Sequence, residues 1–591
     1  VEADVKGSRR PIAGDLVVCF CGRAGDGARA AGRVLARAAA GLGLHARHAA
    51  AFPAEIRGAG KTLAYTAITR EPLRGPCERV DVLVALSDPL TIPELPRLNA
   101  DGLVLYENNP PGYVAEDMAV AGYIAPGMFG YGVPFRDLAA QAESFGRGRN
   151  FVALGAVAAL LDLPAAAFPP AVADHFAGQA ETVRDAALRS FEMGFEYART
   201  RLVATHPWRA LPAPDERPAL ALVTGAAAIA AACAAAGVRL VAFYPVTPAN
   251  RIRADLERLP ADERPVLVLA ADAATAAAHA YGAVAAGRSA VAITVGSGLA
   301  ATGPLLDQAA AAGLPLVVVH VQTAGPAAAL GTSTGQGDLL AAVHGLNDVQ
   351  RPVLAPACTA DCFDAVCLAV RLAARWRTPA VVLADFLQLE RGETVGWPRP
   401  LPDAAAALAA ATPAPDESWA PPGTPDGERL VSAGGPDKRS GATEAVASCP
   451  IAVGLHRGRL NALAAGWTPP ETFGDDGPLD LGLVAWGAAI EPAREALRAA
   501  AARGLRVGGC FPRLVWPLQR PALAVFAARC RVLGAAELNA SGQLAGLLEH
   551  ALARPVARLG RAGAEPLTES ELLAGIAEAM PPAEAKGKRH E

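Results

Sequence analysis

Short, nearly unbroken apolar runs alternate with longer alanine-rich stretches along most of the chain. DLVVCFCG (15–22), VDVLVAL (80–86) and GLVLYE (102–107) read as strands covered on both faces. HARHAAAF (45–52) and TLAYTAI (62–68) add two more strands, and helices are predicted over 28–42, 151–161, 171–176 and 181–198. A stretch with four prolines, 206–218, follows as a linker. Beyond it the alternation sharpens: 219–224, 239–245, 265–270, 289–295, 314–321 and 379–385 are strands with helical patterns between them. Repeated βα units of this length predict a doubly wound parallel sheet. The pattern fades over 393–478, which is rich in Pro, Gly and Ala and reads as a connector with one short helix at 404–411. It returns at 479–487, 506–512 and 531–538, with helices over 491–503, 521–529 and 542–553, before a charged tail.

These readings predict an α/β protein of three doubly wound parallel-sheet domains. The expected organisation is a domain at 1–202, a linker at 203–218, a domain at 219–392, a connector at 393–478, a domain at 479–565 and a tail at 566–591. At ~150 residues per domain, 591 residues leave room for about four, enough for three domains and the connector. With 52% apolar and 19% charged residues the chain can bury several cores. A formal charge of -4 supplies no basic field, which argues against nucleic-acid or anionic-membrane binding. The uncharged run 219–238 splits into a strand and a helix closed by Gly237, so it reads as a βα unit and not as a membrane span. The first ten residues carry charge and no apolar run, which predicts no secretory leader. None of the ten cysteines forms a CxxC pair. Cys358, Cys362 and Cys367 approach one another without a fourth ligand, so buried thiols in a reducing cytoplasm are expected, with no metal held by this chain.

The chemistry lies in short motifs. GRAGDG (22–27) stands between a strand and a helix, where a glycine-rich turn either cradles a phosphate or simply turns the chain. FPAEIRGAG (52–60) follows. The second region holds FYPVTPANRI (243–252), GSGLAATGPLLDQAAAAGLPLVVVHVQTAGP (296–326) and TSTGQGDL (332–339), and the third holds ELNASGQLAGLLE (537–549). In this collinear order the motifs resemble the 2-oxoacid:ferredoxin oxidoreductases. The likeness is to the alpha subunit of the 2-oxoglutarate type with the gamma domain fused in front.

That resemblance implies thiamine diphosphate-dependent decarboxylation of a 2-oxoacid, transfer of electrons to ferredoxin or another acceptor, and formation of an acyl-CoA. It implies that this chain supplies the pyrimidine side and the coenzyme A side. A beta subunit would supply magnesium, the diphosphate site and an iron–sulfur cluster, in a dimer of heterodimers. Gly22, Gly25, Gly27 and Arg57 then fall on the coenzyme A side, with Arg57 equally readable as a surface ion pair. Thr247 stands where the family contacts substrate, with Tyr244 and Pro245 beside it on a loop after a strand end; a turn residue bonding its own backbone is the other reading.

Two departures stand out. The family's glutamate, which hydrogen-bonds the pyrimidine ring nitrogen, maps onto Ala273, a methyl group. Asp272 beside it is either a helix N-cap or a displaced catalytic carboxylate. Thr323 replaces an arginine that can make bidentate, charge-assisted contacts, and Gly335 replaces an acid. His279 and His320 are each readable as packed histidines or site groups, and Asn539 and Gln543 as a capped helix start or a contact between domains. The working-subunit reading therefore stands beside a non-catalytic scaffold derived from the same family. A third reading, a free-standing thiamine-dependent transferase, would need a diphosphate loop that this sequence does not show.

Overall fold

The computed structural model describes residues 10–580 except 12–14, 52–59, 73–74, 76–77, 109–118, 143–146, 204–205, 207, 210–213, 215–217, 327–329, 347, 398–444 and 475. Two compact units emerge: Val1–Leu73 with Cys77–Thr224 and Glu390–Arg399, and Arg74–Pro76 with Gly225–Leu389 and Pro400–Glu591.

The first unit is built on an eight-stranded sheet in the order Phe129–Val133, Leu98–Glu107, Val80–Ala85, Leu16–Arg23, Lys61–Thr69, His45–Ala51, Gly392–Gly396, Leu220–Thr224. The first four strands run parallel and each later neighbour is antiparallel. The sheet is thus mixed, not purely parallel. Strand Leu220–Thr224, expected to open the second domain, closes this sheet against Gly392–Gly396. GETVG carries no apolar alternation, so nothing in its sequence marks it as the strand that captures 220–224.

Helix Ala28–Gly41 covers one face with Val34, Leu35 and Ala36, all fully buried. Burying a Val or Leu side chain stabilises by about 1.5–3 kcal/mol. Helices Arg149–Leu160 and Glu181–Arg201 cross at backbone contact, because Gly155 and Gly194 carry no Cβ. A Cβ on Gly155 would strike the Phe191 carbonyl oxygen, and one on Gly194 the Val152 carbonyl oxygen.

The second unit contains two sheets. Seven strands run Val266–Leu269, Leu240–Phe243, Ala290–Val295, Val317–Gln322, Ala380–Asp385, Val353–Leu354 and Leu514–Trp516, parallel except at the last pair. Five strands run Glu471–Phe473, Val507–Phe511, Leu479–Ala485, Cys530–Ala536 and Ala557–Arg558, antiparallel only at the first pair. One core joins them, with Leu339, Val353, Trp486, Leu523 and Leu544 among its members.

Two segments differ from the sequence reading. Residues Ala445–Gly466 form a helix and Glu471–Phe473 a strand inside the stretch read as connector. Residues Glu569–Ala579, read as tail, form a helix with a capping box at Thr568 and Glu571, and it buries Leu572 and Ile576. The expected helix at 404–411 lies outside the described residues. Among the described residues no helix is long and apolar enough to cross a membrane.

Candidate functional site

The chain leaves strand Leu240–Phe243 towards Val266–Leu269 on one side, and leaves Ala290–Val295 towards Val317–Gln322 on the other. This reversal opens a crevice at the carboxyl ends of the two strands, the place where open α/β sheets bind ligands. Tyr244, Pro245 and Thr247 stand there, all exposed, with Thr247 the first residue of helix Thr247–Glu257. The opposite lip is the turn Gly296–Gly298, and Ala273 closes on it. A Cβ built on Gly298 would lie 2.9 Å from the Ala273 Cβ and 3.5 Å from the Thr294 Cβ.

Asp272 is the N-cap of helix Ala273–Ala285. Its Oδ1 accepts the Thr275 N–H at 2.6 Å. That backbone bond, helped by the Thr275 hydroxyl, holds the carboxyl below its usual range. His279 is exposed on the same helix. Thr323 is buried, and its hydroxyl has no hydrogen-bond partner among the described residues.

In the first unit the glycine-rich turn closes around its own acid. Asp26 Oδ2 accepts the Arg23 N–H at 2.8 Å, and Asp26 Oδ1 pairs with Arg149 at 2.8 Å. Gly27 has φ 79° and a Cβ there would strike the Asn150 amide, so glycine is required on both counts. Gly25 also turns with positive φ, and Gly22 leaves room for Asp26. Asp26 thus already takes up the Arg23 N–H of this turn. Arg57 lies outside the described residues.

The sequence reading missed a buried polar chain at the carboxyl ends of the next strands. Thr294 Oγ1 and His320 Nδ1 are 2.9 Å apart, and His320 Nε2 is 2.9 Å from Asp338 Oδ2. The ring thus bridges the Thr294 hydroxyl and the Asp338 carboxylate through its two nitrogens. The Asp338 N–H donates to Gln322 Oε1 at 3.3 Å. Gln322 Nε2 donates to Asp385 Oδ1 at 2.9 Å. Asp385 Oδ2 accepts from the Ala488 N–H at 2.7 Å and from Gln336 Nε2 at 3.2 Å. Asp385 is fully buried and lines a small cavity with Thr334, Gln336 and Leu538. His320 and Gln322 lie in the motif at 296–326, and Gln336 and Asp338 in TSTGQGDL, but the pairing between the motifs and with Thr294 and Asp385 is not marked in the sequence.

The same loop is gripped by the third region. Gln336 exchanges two bonds with Leu538, each 2.9 Å, and Asn539 Nδ2 donates to Gln336 O at 3.0 Å. Asn539 Oδ1 accepts the Gly542 N–H at 2.7 Å, while Gln543 bonds Gly337 O and the Leu340 N–H. Asn539 therefore braces the turn ahead of helix Gln543–Leu552, whose N-cap is Gly542, and joins the two parts of the second unit. Asn539→Ala is expected to cost about 1–3 kcal/mol in denaturant unfolding, because it removes the hydrogen bonds to Gln336 O and the Gly542 N–H, each worth about 0.5–1.5 kcal/mol.

Cys362 and Cys367 are buried in helix Thr359–Trp376, with Cys358 at its N-cap. Burial pushes the Cys367 thiol up to about 12. A thiol so disfavoured as thiolate is a packing group.

Comparison with known proteins follows this division. Residues 17–197 match the family profile of pyruvate ferredoxin/flavodoxin oxidoreductase. Residues 231–414 match that of pyruvate flavodoxin/ferredoxin oxidoreductase, thiamine diphosphate-binding. The 2-oxoglutarate oxidoreductase subunit KorA of Mycobacterium tuberculosis is 26% identical over 90% of this chain and 87% of its own. The 2-oxoglutarate synthase subunit KorA of Methanothermobacter marburgensis is 27% identical over 54% of this chain and 87% of its own. The structure of 2-oxoglutarate:ferredoxin oxidoreductase from Magnetococcus marinus superposes with a TM-score of 0.86 at 24% identity, covering 96% of this chain and 100% of that one, and so shares its fold. With two successive family domains and a relative aligned almost end to end, the chain belongs to the pyruvate ferredoxin/flavodoxin oxidoreductase family of 2-oxoacid oxidoreductases.

Proposed function

We propose that this chain is the alpha subunit, with a gamma-type domain ahead of it, of an enzyme that oxidatively decarboxylates a 2-oxoacid to an acyl-CoA and carbon dioxide. The substrate is 2-oxoglutarate, and ferredoxin or a similar carrier takes the electrons. The observation that carries this reading is the alignment of 90% of the chain with a 2-oxoglutarate oxidoreductase subunit. In this proposal Thr247, with Tyr244 and Pro245, faces substrate or cofactor at the strand-end crevice. Gly22, Gly25, Gly27 and Arg57 belong to the coenzyme A side. Magnesium, the diphosphate and the iron–sulfur cluster are held by a beta subunit, in a dimer of heterodimers within a reducing cytoplasm.

The residues present do not fit one part of thiamine diphosphate. The place for an acid at its pyrimidine ring nitrogen carries the Ala273 methyl, and the neighbouring Asp272 carboxylate is held by Thr275. This favours the scaffold role as a second reading.

The chain alone is expected to give no turnover in a 2-oxoglutarate-dependent dye-reduction assay, and to gain it on co-purification with an iron-bearing partner. Robust turnover by the isolated chain would contradict the proposal.

A further inference from the structure

We infer that this chain has given up the acid that holds the pyrimidine ring nitrogen of thiamine diphosphate, so that its half of the crevice makes no charge-assisted contact with that nitrogen. The inference rests on the functional reading above and deepens it. Three observations carry it.

Position 273 stands at the strand-end reversal and is half-buried. It is the first residue of helix Ala273–Ala285, and its Cβ lies against Gly298 at the strand-end turn. The side chain there ends at the methyl.

Asp272 does not replace it. Its backbone is extended, at φ -155° and ψ 177°, as an N-cap requires. Its Oδ1 is taken up by the Thr275 N–H at 2.6 Å. Along a helix, one residue turns a side chain by about 100°, so neighbouring positions do not share an aim.

Two further carboxylates near these strand ends, Asp338 and Asp385, already accept hydrogen bonds from buried donors. Asp338 Oδ2 lies 2.9 Å from His320 Nε2. Asp385 is fully buried, and the Gln322, Gln336 and Ala488 N–H groups all point at it. Freeing either one would strand buried donors.

The test uses the complex assembled with its partner and two ligands, thiamine diphosphate and its 1′-deaza analogue, in which a C–H replaces the ring nitrogen. Calorimetry gives both dissociation constants, with no turnover needed. The wild-type complex is expected to bind the two within about twofold, since no charge-assisted bond distinguishes them. A273E is expected to prefer thiamine diphosphate by about 10- to 100-fold, the scale of a hydrogen bond to a charged group. A273Q, of similar length but neutral, is expected to show a smaller preference, which guards against misreading a folding defect in A273E. D272N is expected to leave the wild-type ratio unchanged.

A wild-type preference of tenfold or more overturns the inference, and its loss in D272N would name Asp272 as the acid. Binding of thiamine diphosphate by A273E but of neither ligand by wild type supports the lost acid while contradicting the functional reading. Failure of every form to bind either ligand overturns both.

Discussion

Asp385→Ala is expected to destabilise the second unit by at least about 3 kcal/mol, because one substitution orphans several buried donors. The carboxylate sits at the end of strand Ala380–Asp385 with no exposed surface. It accepts from Gln322 Nε2, Gln336 Nε2 and the Ala488 N–H, which come from three separate segments. An unmet buried donor costs about 1–3 kcal/mol, and a methyl in place of the carboxylate meets none of the three. Gln336 keeps the Trp486 carbonyl at 3.0 Å as a second acceptor, which spares part of the loss. Asp385→Asn retains one acceptor oxygen and is expected to fall between wild type and alanine. Urea unfolding followed by tryptophan fluorescence suits the measurement, since Trp486 is buried beside the network. Equal midpoints for wild type and Asp385→Ala would show that the network contributes nothing net.

Gly194→Ala is the second large effect, expected at about 3 kcal/mol or more in the first unit. The added methyl would collide with the carbonyl oxygen of Val152, a backbone atom inside helix Arg149–Leu160, and not with a side chain that can rotate away. Overpacking ordinarily costs about 1–3 kcal/mol, and it costs most where rigid backbone must move. Gly178→Ala offers a contrast. Its Cβ would meet nothing within 4 Å, so only the strain of its positive φ of 82° applies. A Gly194→Ala protein with an unshifted unfolding midpoint would mean that the two helices separate freely.

The alternation of apolar runs and alanine-rich stretches made most strands and helices legible. DLVVCFCG, VDVLVAL and PAVVLAD are strands because both faces are covered, so every position can be apolar. Direction and partnership were not legible. Strand Leu220–Thr224 has the same look as the parallel strands that follow it, yet it pairs antiparallel with GETVG, a segment without apolar alternation that is held by pairing on both edges and by the buried Glu393–Arg47 ion pair. Helix Ala445–Gly466 was hidden by its setting in a Pro- and Gly-rich stretch. At the crevice, Asp272 as an N-cap was one of two readings open from sequence, and the structure shows the cap. The Thr294–His320–Asp338 chain and the Asp385 hub could not be foreseen. Hydrogen bonds between residues 26 and 103 positions apart leave no local pattern.

The most direct test of the account is the assembled complex of this chain with its partner, assayed for reduction of ferredoxin or a viologen dye. The account predicts reduction that requires both 2-oxoglutarate and coenzyme A and yields succinyl-CoA, with no turnover from this chain alone. A complex that reduces no acceptor with any 2-oxoacid, or a chain that does so without its partner, would contradict it.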